Sequence, residues 1–217
     1  MKILEIIRQR KTEKVLADPE NPWPVTPNSA VPIEDILEAG RWAPFHYPSH
    51  KDHRNLEEDI LPWHAYTLDS VASRLLLTKL RESQYQGGKI FGLLAAADFT
   101  ILVTWKPNPL PDDAAENYFQ PSLENMEHVA AASAAIQNML LVATESEIPN
   151  YWSSGGILRN SSVKKLLQIP SKQLLIGAIF LFPPASRFPE PRVDIAPGKL
   201  RKSRPGKEIW TSTISLS

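Results

Sequence analysis

The sequence predicts an α+β domain in which a small central sheet is flanked by helices. Three observations carry that prediction. Residues 99–105 and 174–182 are strongly apolar and rich in β-formers, so they read as buried strands. Residues 122–146 contain neither Gly nor Pro and are dense in good helix formers. Strands and helices follow no regular βαβ alternation, and neither G-x-G-x-x-G nor G-x-x-x-x-G-K-[ST] occurs, which excludes standard dinucleotide and P-loop sites.

The elements follow in chain order. Ile3, Leu4, Ile6 and Ile7 mark a short first helix. Residues 18–32, with Pro19, Pro22, Pro24, Pro27 and Pro32, must be irregular. Ile33, Ile36, Leu37 and Trp42 return to helical spacing, and that helix should stop before Pro44. Residues 44–62 are polar and His-rich, a surface loop with at most one helical turn. Residues 64–68 are a strand candidate, and 70–83 an amphipathic helix broken by Gly87-Gly88. Residues 89–97 are helical again. A proline-rich connection, 106–121, leads to the long helix. Residues 150–153 form a brief strand, and 161–167 a short helix capped by Asn160 or Ser161. After the 174–182 strand comes a proline-rich basic segment, 183–205, and a terminal strand over 209–214.

With 217 residues, no internal repeat and no clean linker, one domain over residues 1–217 is expected. Lys plus Arg equals Asp plus Glu at 24 each, which argues against a nucleic-acid or membrane-surface partner. The chain has no cysteine, so disulfides, thiolate catalysis, Cys-ligated zinc and iron–sulfur clusters are excluded. No apolar run reaches the roughly 20 residues that span a bilayer. The amphipathic start, with Lys2, Glu5, Arg8 and Arg10, lacks the features of a secretory signal. A cytoplasmic protein is the expectation.

Five groups of residues can carry chemistry. Arg10-Lys11-Thr12-Glu13-Lys14 offers three cations and a hydroxyl to a phosphate, or simply solvated cations at a helix end. Lys202 and Arg204 alternate, so an extended backbone points them to one side, where they can close a phosphate cage or form a solvated tail. Ser154-Gly155-Gly156 lets a flat ligand approach the backbone, or is a plain turn. His46, His50, His53 and His64 include H-x3-H-x2-H spacing, but Pro48 keeps His46 and His50 off one helix face, so solvated histidines compete with a metal site. The small-residue run 130–135 permits close packing by a partner subunit or by the chain's own core.

In this order the pieces resemble the FMN-dependent nitroreductase family. Arg10-Lys11-Thr12-x-Lys14 looks like its R-x-[ST]-x-[RK] segment. Ile36 to Pro44 looks like its second helix with the following Ala-Pro turn, and Pro62-Trp63-His64 like its Pro-Trp strand entry. Gln137-Asn138-Met139-Leu140-Leu141 resembles part of its central dimer helix. Ile148-Pro149 through Gly156, Gly177-Ala178-Ile179-Phe180 and Lys202-Ser203-Arg204-Pro205 resemble its later loop, strand and closing basic segment.

The resemblance implies a nitroreductase-like α+β fold with a mostly antiparallel sheet, in an intertwined homodimer with FMN at each of two interfaces. Arg10, Lys11, Thr12, Lys202 and Arg204 would hold the ribityl phosphate or its polar chain. Lys14 would face the flavin pyrimidine edge. Ser154, Gly155 and Gly156 would lie against the ring, and Pro44, Phe45 and His46 would reach the flavin of the other subunit. The implied reaction carries hydride from NAD(P)H through FMN to a small organic oxidant such as a nitroaromatic or a quinone. A flavin carrier or sensor of the same fold, without turnover, is the alternative; a metal-dependent hydrolase using the His loop is a third reading. The chain also departs from the family pattern. Residues 49–60 look inserted, Asn55 alone there can replace the missing Asn-x-Gln amide, and Glu147 stands where a helix-ending Gly is usual.

Overall fold

The computed structural model describes residues 2–54, 56–109, 122–189, 195–197, 211, 212 and 214. Its centre is a four-stranded sheet in the order β2–β3–β5–β4, formed by β2 (Trp63–Asp69), β3 (Phe99–Trp105), β4 (Asn150–Ser153) and β5 (Leu174–Leu181). Every pairing is antiparallel. The two strands read as most apolar, β3 and β5, are the inner ones and are buried on both faces, as their unbroken hydrophobic runs require.

Alternation of side chains divides the core in two. Leu102, Ala178 and Phe180 face one side, where α3 (Ser70–Glu82), α4 (Lys89–Ala96) and α6 (Ser161–Leu166) contribute Leu76, Leu77, Leu80, Leu93, Leu94 and Val163. Ile101, Val103, Ile179 and Leu181 face the other, against α2 (Ile33–Arg41) and α5 (Leu123–Glu145) through Ile36, Ala132, Ala135, Ile136, Met139 and Leu140. Ala131, Ala132 and Ala135 of the small-residue run are thus buried in the chain's own core, while Ala130 stays exposed. The packing of α2 on α5 is close enough that a Cβ at Gly40 would lie 2.9 Å from Met139 Cε.

The helix ends show why the sequence pattern was readable. Asp69 accepts from Ala72 N–H (2.7 Å), Ser122 from Asn125 N–H (3.1 Å) and Asn160 from Ser162 N–H (2.8 Å), each satisfying a donor that the first turn leaves orphaned. At the other ends α3, α5 and α6 share one device. Gln84, Glu147 and Gln168 adopt φ of 56°, 58° and 56°. The next residue in each case donates back, Tyr85 to Leu80, Ile148 to Ala143 and Ile169 to Lys164. This is a Schellman ending with a side-chain-bearing residue in the place glycine favours, so Glu147 does adopt the left-handed conformation.

A two-stranded ribbon, β1 (Glu13–Lys14) with β6 (Ala196–Pro197), was not expected from sequence. Two-residue strands carry no periodicity to read, and their partner lies at the far end of the chain. The first helix, α1 (Ile3–Gln9), buries only Ile6 and leaves Ile3, Leu4 and Ile7 exposed. The expected terminal strand over 209–214 falls largely outside the described residues. Of these, Thr211, Ser212 and Ile214 belong to no strand. No helix among the described residues is long and apolar enough to cross a membrane.

Candidate functional site

Two of the sequence-predicted groups meet at one edge of the sheet. Strand β1 runs alongside β4, which delivers the chain into Ser154-Gly155-Gly156. Lys14 Nζ lies 5.1 Å from the centre of the Tyr151 ring, a cation–π contact. Lys14 forms no ion pair among the described residues, and the ring face of Tyr151 is the contact that meets its charge. Arg10 caps the end of α1, its N–H donating to Ile6 O (2.8 Å), and Thr12 is half-buried behind it.

The glycine pair has a backbone that other residues resist. Gly155 has φ +102° and Gly156 +49°. A Cβ at Gly155 would lie 2.5 Å from Leu175 Cδ2, so both conformation and packing demand glycine there. Ser153 Oγ accepts from Gly155 N–H (3.2 Å). Arg159, at the end of the 3-10 turn Gly156–Arg159, clamps the loop from behind: Nε donates to Ser154 O (2.5 Å) and Nη2 to Ile176 O (3.0 Å). Ile176 is the extra residue of a β-bulge, since Val103 pairs with Gly177 and Thr104 with Leu175. The bulge turns out a carbonyl that Arg159 takes. Neither Tyr151 nor Arg159 stood out in the sequence. An aromatic within a short alternating strand and an arginine in a one-turn helix look like ordinary surface residues.

Lys11 has an acidic neighbour. Its Nζ pairs with Glu13 (3.1 Å) at the rim of a cavity of about 360 Å³, which Thr144, Glu147 and Pro149 also line. A larger cavity, about 670 Å³, is lined by Arg159, Ser161, Lys164, Lys165, Ser171 and Leu174. Two of its three cations hold backbone: Arg159 as described, and Lys164 through the carbonyls of Ser171 (3.0 Å) and Gln173 (2.8 Å). Lys202, Arg204 and Asn55 lie outside the described residues.

Pro44, Phe45 and His46 are not brought to this edge. Tyr151, Ile157 and Leu158 pack with the first core cluster, whereas Ala43 and Phe45 belong to the second, across the sheet. Phe45 meets Trp63 edge-on, with centroids 5.8 Å apart. Pro44 is exposed, and His46 Nδ1 contacts Glu127 (3.0 Å) on α5. The other loop histidines diverge as well. His50 faces Asp52 (3.5 Å), and His53 Nε2 meets Pro107 O (2.6 Å). No three metal-ligating side chains converge among the described residues.

The fold is thus antiparallel α+β, with Lys14 resting on Tyr151 of β4, the strand that leads into a left-handed glycine pair. The chain belongs to the nitroreductase family: the model of that family matches residues 24–181. Among solved structures it is similar to a nitroreductase-like protein from Bacillus cereus, with 20% identity, a TM-score of 0.65, and coverage of 100% of this chain and 97% of that one. It is also similar to a nitroreductase from Desulfovibrio desulfuricans in complex with FMN, with 20% identity, TM-score 0.60 and coverage of 100% and 99%. A nitroreductase from Bacteroides fragilis with bound FMN shows 17% identity, TM-score 0.56 and coverage of 99% and 100%. No curated protein matches the sequence.

Proposed function

We propose that the chain is an FMN-dependent oxidoreductase that takes hydride from NAD(P)H and passes it to a small organic oxidant, a nitroaromatic, a quinone or a similar molecule. The observation that carries this is Lys14: an ammonium without an acidic partner among the described residues, held by Tyr151 at the entrance to the glycine loop. FMN, when bound, supplies the two-electron chemistry. Lys14 stabilises negative charge on a reduced ring and so favours reduction. Gly155 and Gly156 give the ring access to the backbone, and Arg159 keeps that backbone in place. Arg10, Thr12, Lys202 and Arg204 hold the phosphate end. Lys11, paired with Glu13, contributes less.

On the same reading the working form is a homodimer in the cytoplasm. Pro44, Phe45 and His46 sit across the sheet from Lys14 within one protomer, so one crevice using both sets needs a second copy. The uncovered Ile3, Leu4 and Ile7 of α1 suit such an interface. The purified protein should be a yellow dimer with about one FMN per subunit, bleached by NAD(P)H under anaerobic conditions. A colourless protein that takes up no FMN on titration rejects the assignment; a yellow one that NAD(P)H leaves unchanged rejects turnover and favours the carrier. Lys14→Met should lower the bound flavin's two-electron potential by about 30 mV, equivalent to about 1.4 kcal/mol, as read by spectroelectrochemistry.

A further inference from the structure

Two lysines are buried among the described residues, Lys106 and Lys164, and they differ in what meets their charge. Lys106, 1% exposed, has a carboxylate oxygen of Asp59 at 2.6 Å. Lys164, 8% exposed on α6, has no carboxylate partner among the described residues. Its Nζ donates to the carbonyls of Ser171 (3.0 Å) and Gln173 (2.8 Å), which take up two of its three N–H groups and bring no opposing charge. A buried charge is ordinarily paired. In place of an acid, Lys164 has the cavity of about 670 Å³ that it helps to line.

The surroundings carry the same sign. Acids and bases balance over the whole chain at 24 each, yet between Glu147 and Glu190 the sequence holds no Asp or Glu and five cations, Arg159, Lys164, Lys165, Lys172 and Arg187. The first three of these line the cavity, and no carboxylate lines it with them. Other cavities differ: the one at Lys11 is lined also by Glu13 and Glu147, and one at Arg81 by Glu20 and Glu82. Lys165 is exposed, and its ammonium has no ion-pair partner among the described residues. Arg159 gives Nε and Nη2 to the carbonyls of Ser154 and Ile176, which leaves the N–H groups of Nη1 for another acceptor. Ile169 and Leu174 line the same cavity.

We propose that this cavity binds a phosphate monoester, with Arg159, Lys164 and Lys165 meeting the phosphoryl group and Ile169 and Leu174 meeting its organic body. Three cations without a carboxylate suit a group that carries close to two negative charges near neutrality. The guanidinium supplies directed donors to its oxygens, and the Lys165 ammonium a point charge on a flexible stem. The volume falls in the range of small-molecule sites, so the phosphoryl group comes with a body that the apolar wall can cover. Lys164 gains the counter-charge that its burial otherwise lacks. None of the residues assigned to the flavin lines this cavity, but Arg159 belongs to both regions, because it also braces the glycine loop.

The test is a titration of phenyl phosphate into the full chain at about pH 7.5 and about 0.15 M salt, followed by amide NMR. The protein carries its FMN and is freed of excess FMN, itself a phosphate monoester; a preparation that takes up no FMN is titrated as it stands, so the outcome does not depend on the enzymatic assignment. The amides of Ser162, Lys165, Gln168 and Ser171 should shift with a Kd below about 1 mM, while those of β3 stay in place and any flavin stays bound. Lys165→Gln, which removes an exposed side chain, should weaken binding about tenfold. Lys172→Gln, which removes a cation of the same segment from outside the cavity, should weaken it less than about twofold. Absence of shifts around α6, or a Kd above about 1 mM, overturns the site, and so does displacement of flavin by the probe. Equal losses in the two variants overturn it in favour of diffuse charge. Inorganic phosphate binding as tightly as phenyl phosphate overturns the monoester assignment.

Discussion

The edge of the sheet around Lys14 and the loop between α2 and β2 lie on opposite sides of the same sheet and are held by different forces. The glycine loop is fixed by backbone: a left-handed pair, a bulge, and one arginine donating to two carbonyls. None of these bonds titrates near neutrality. The histidine loop is fixed in part by ionisable side chains, among them an ion pair whose lysine is buried and a His53 ring that meets the carbonyl of Pro107. One region is held by bonds that involve no titrating group, and the other leans on side chains that carry or can take up charge.

The contrast can be broken from either side. Lys106→Met leaves Asp59 without its partner at the loop's anchor. Breaking a buried pair typically costs about 3–5 kcal/mol. Because Asp59 is 31% exposed, we expect about 2–3 kcal/mol by urea denaturation, with exchange protection lost first in residues 49–60. A smaller effect is expected at the other edge. Gly155→Ala must place a Cβ against Leu175 in a left-handed backbone, at about 2 kcal/mol, and should weaken FMN uptake without altering exchange protection in the loop between α2 and β2. Smallest, and of opposite sign, are Gln84→Gly, Glu147→Gly and Gln168→Gly. Each relieves a left-handed residue at a helix end and should stabilise by about 0.5–1 kcal/mol, less whatever glycine adds to the unfolded chain's entropy. A rise in melting temperature that sums over the three would verify it; a fall at any one would show that its side chain makes contacts worth more than the strain.

Much of this molecule was legible in its sequence, for reasons visible at particular residues. Phe99–Trp105 and Asn150–Ser153 were read at the boundaries observed, because the first is a short run rich in β-formers and the second a short aromatic segment set between Pro149 and Gly155. The long helix was read to within a residue at each end, since Ser122 caps it and nothing inside interrupts it. Gly155 and Gly156 were chosen for conformational freedom and do adopt positive φ. Other features stayed illegible. Lys11 was grouped with Arg10 and Lys14, yet one residue's alternation along an extended chain sends it toward Glu13. Tyr151, Arg159 and Lys106 gave no signal, because what distinguishes them is what lies opposite in space.

By itself, then, the order of apolar runs, caps and breakers determined the α+β class, the two central strands and the helix that divides them, since each of these is set by contacts close in the chain or by a one-dimensional pattern of burial. Tertiary structure alone decided that Lys14 rests on Tyr151 with no acidic partner among the described residues, that an arginine beyond the glycines braces them against a bulge, and that His128 of α5 is set against the loop that carries His46, His50 and His53. Those are meetings of residues distant in sequence. Their free energies depend on distance and burial, and neither is written in a linear order of side chains.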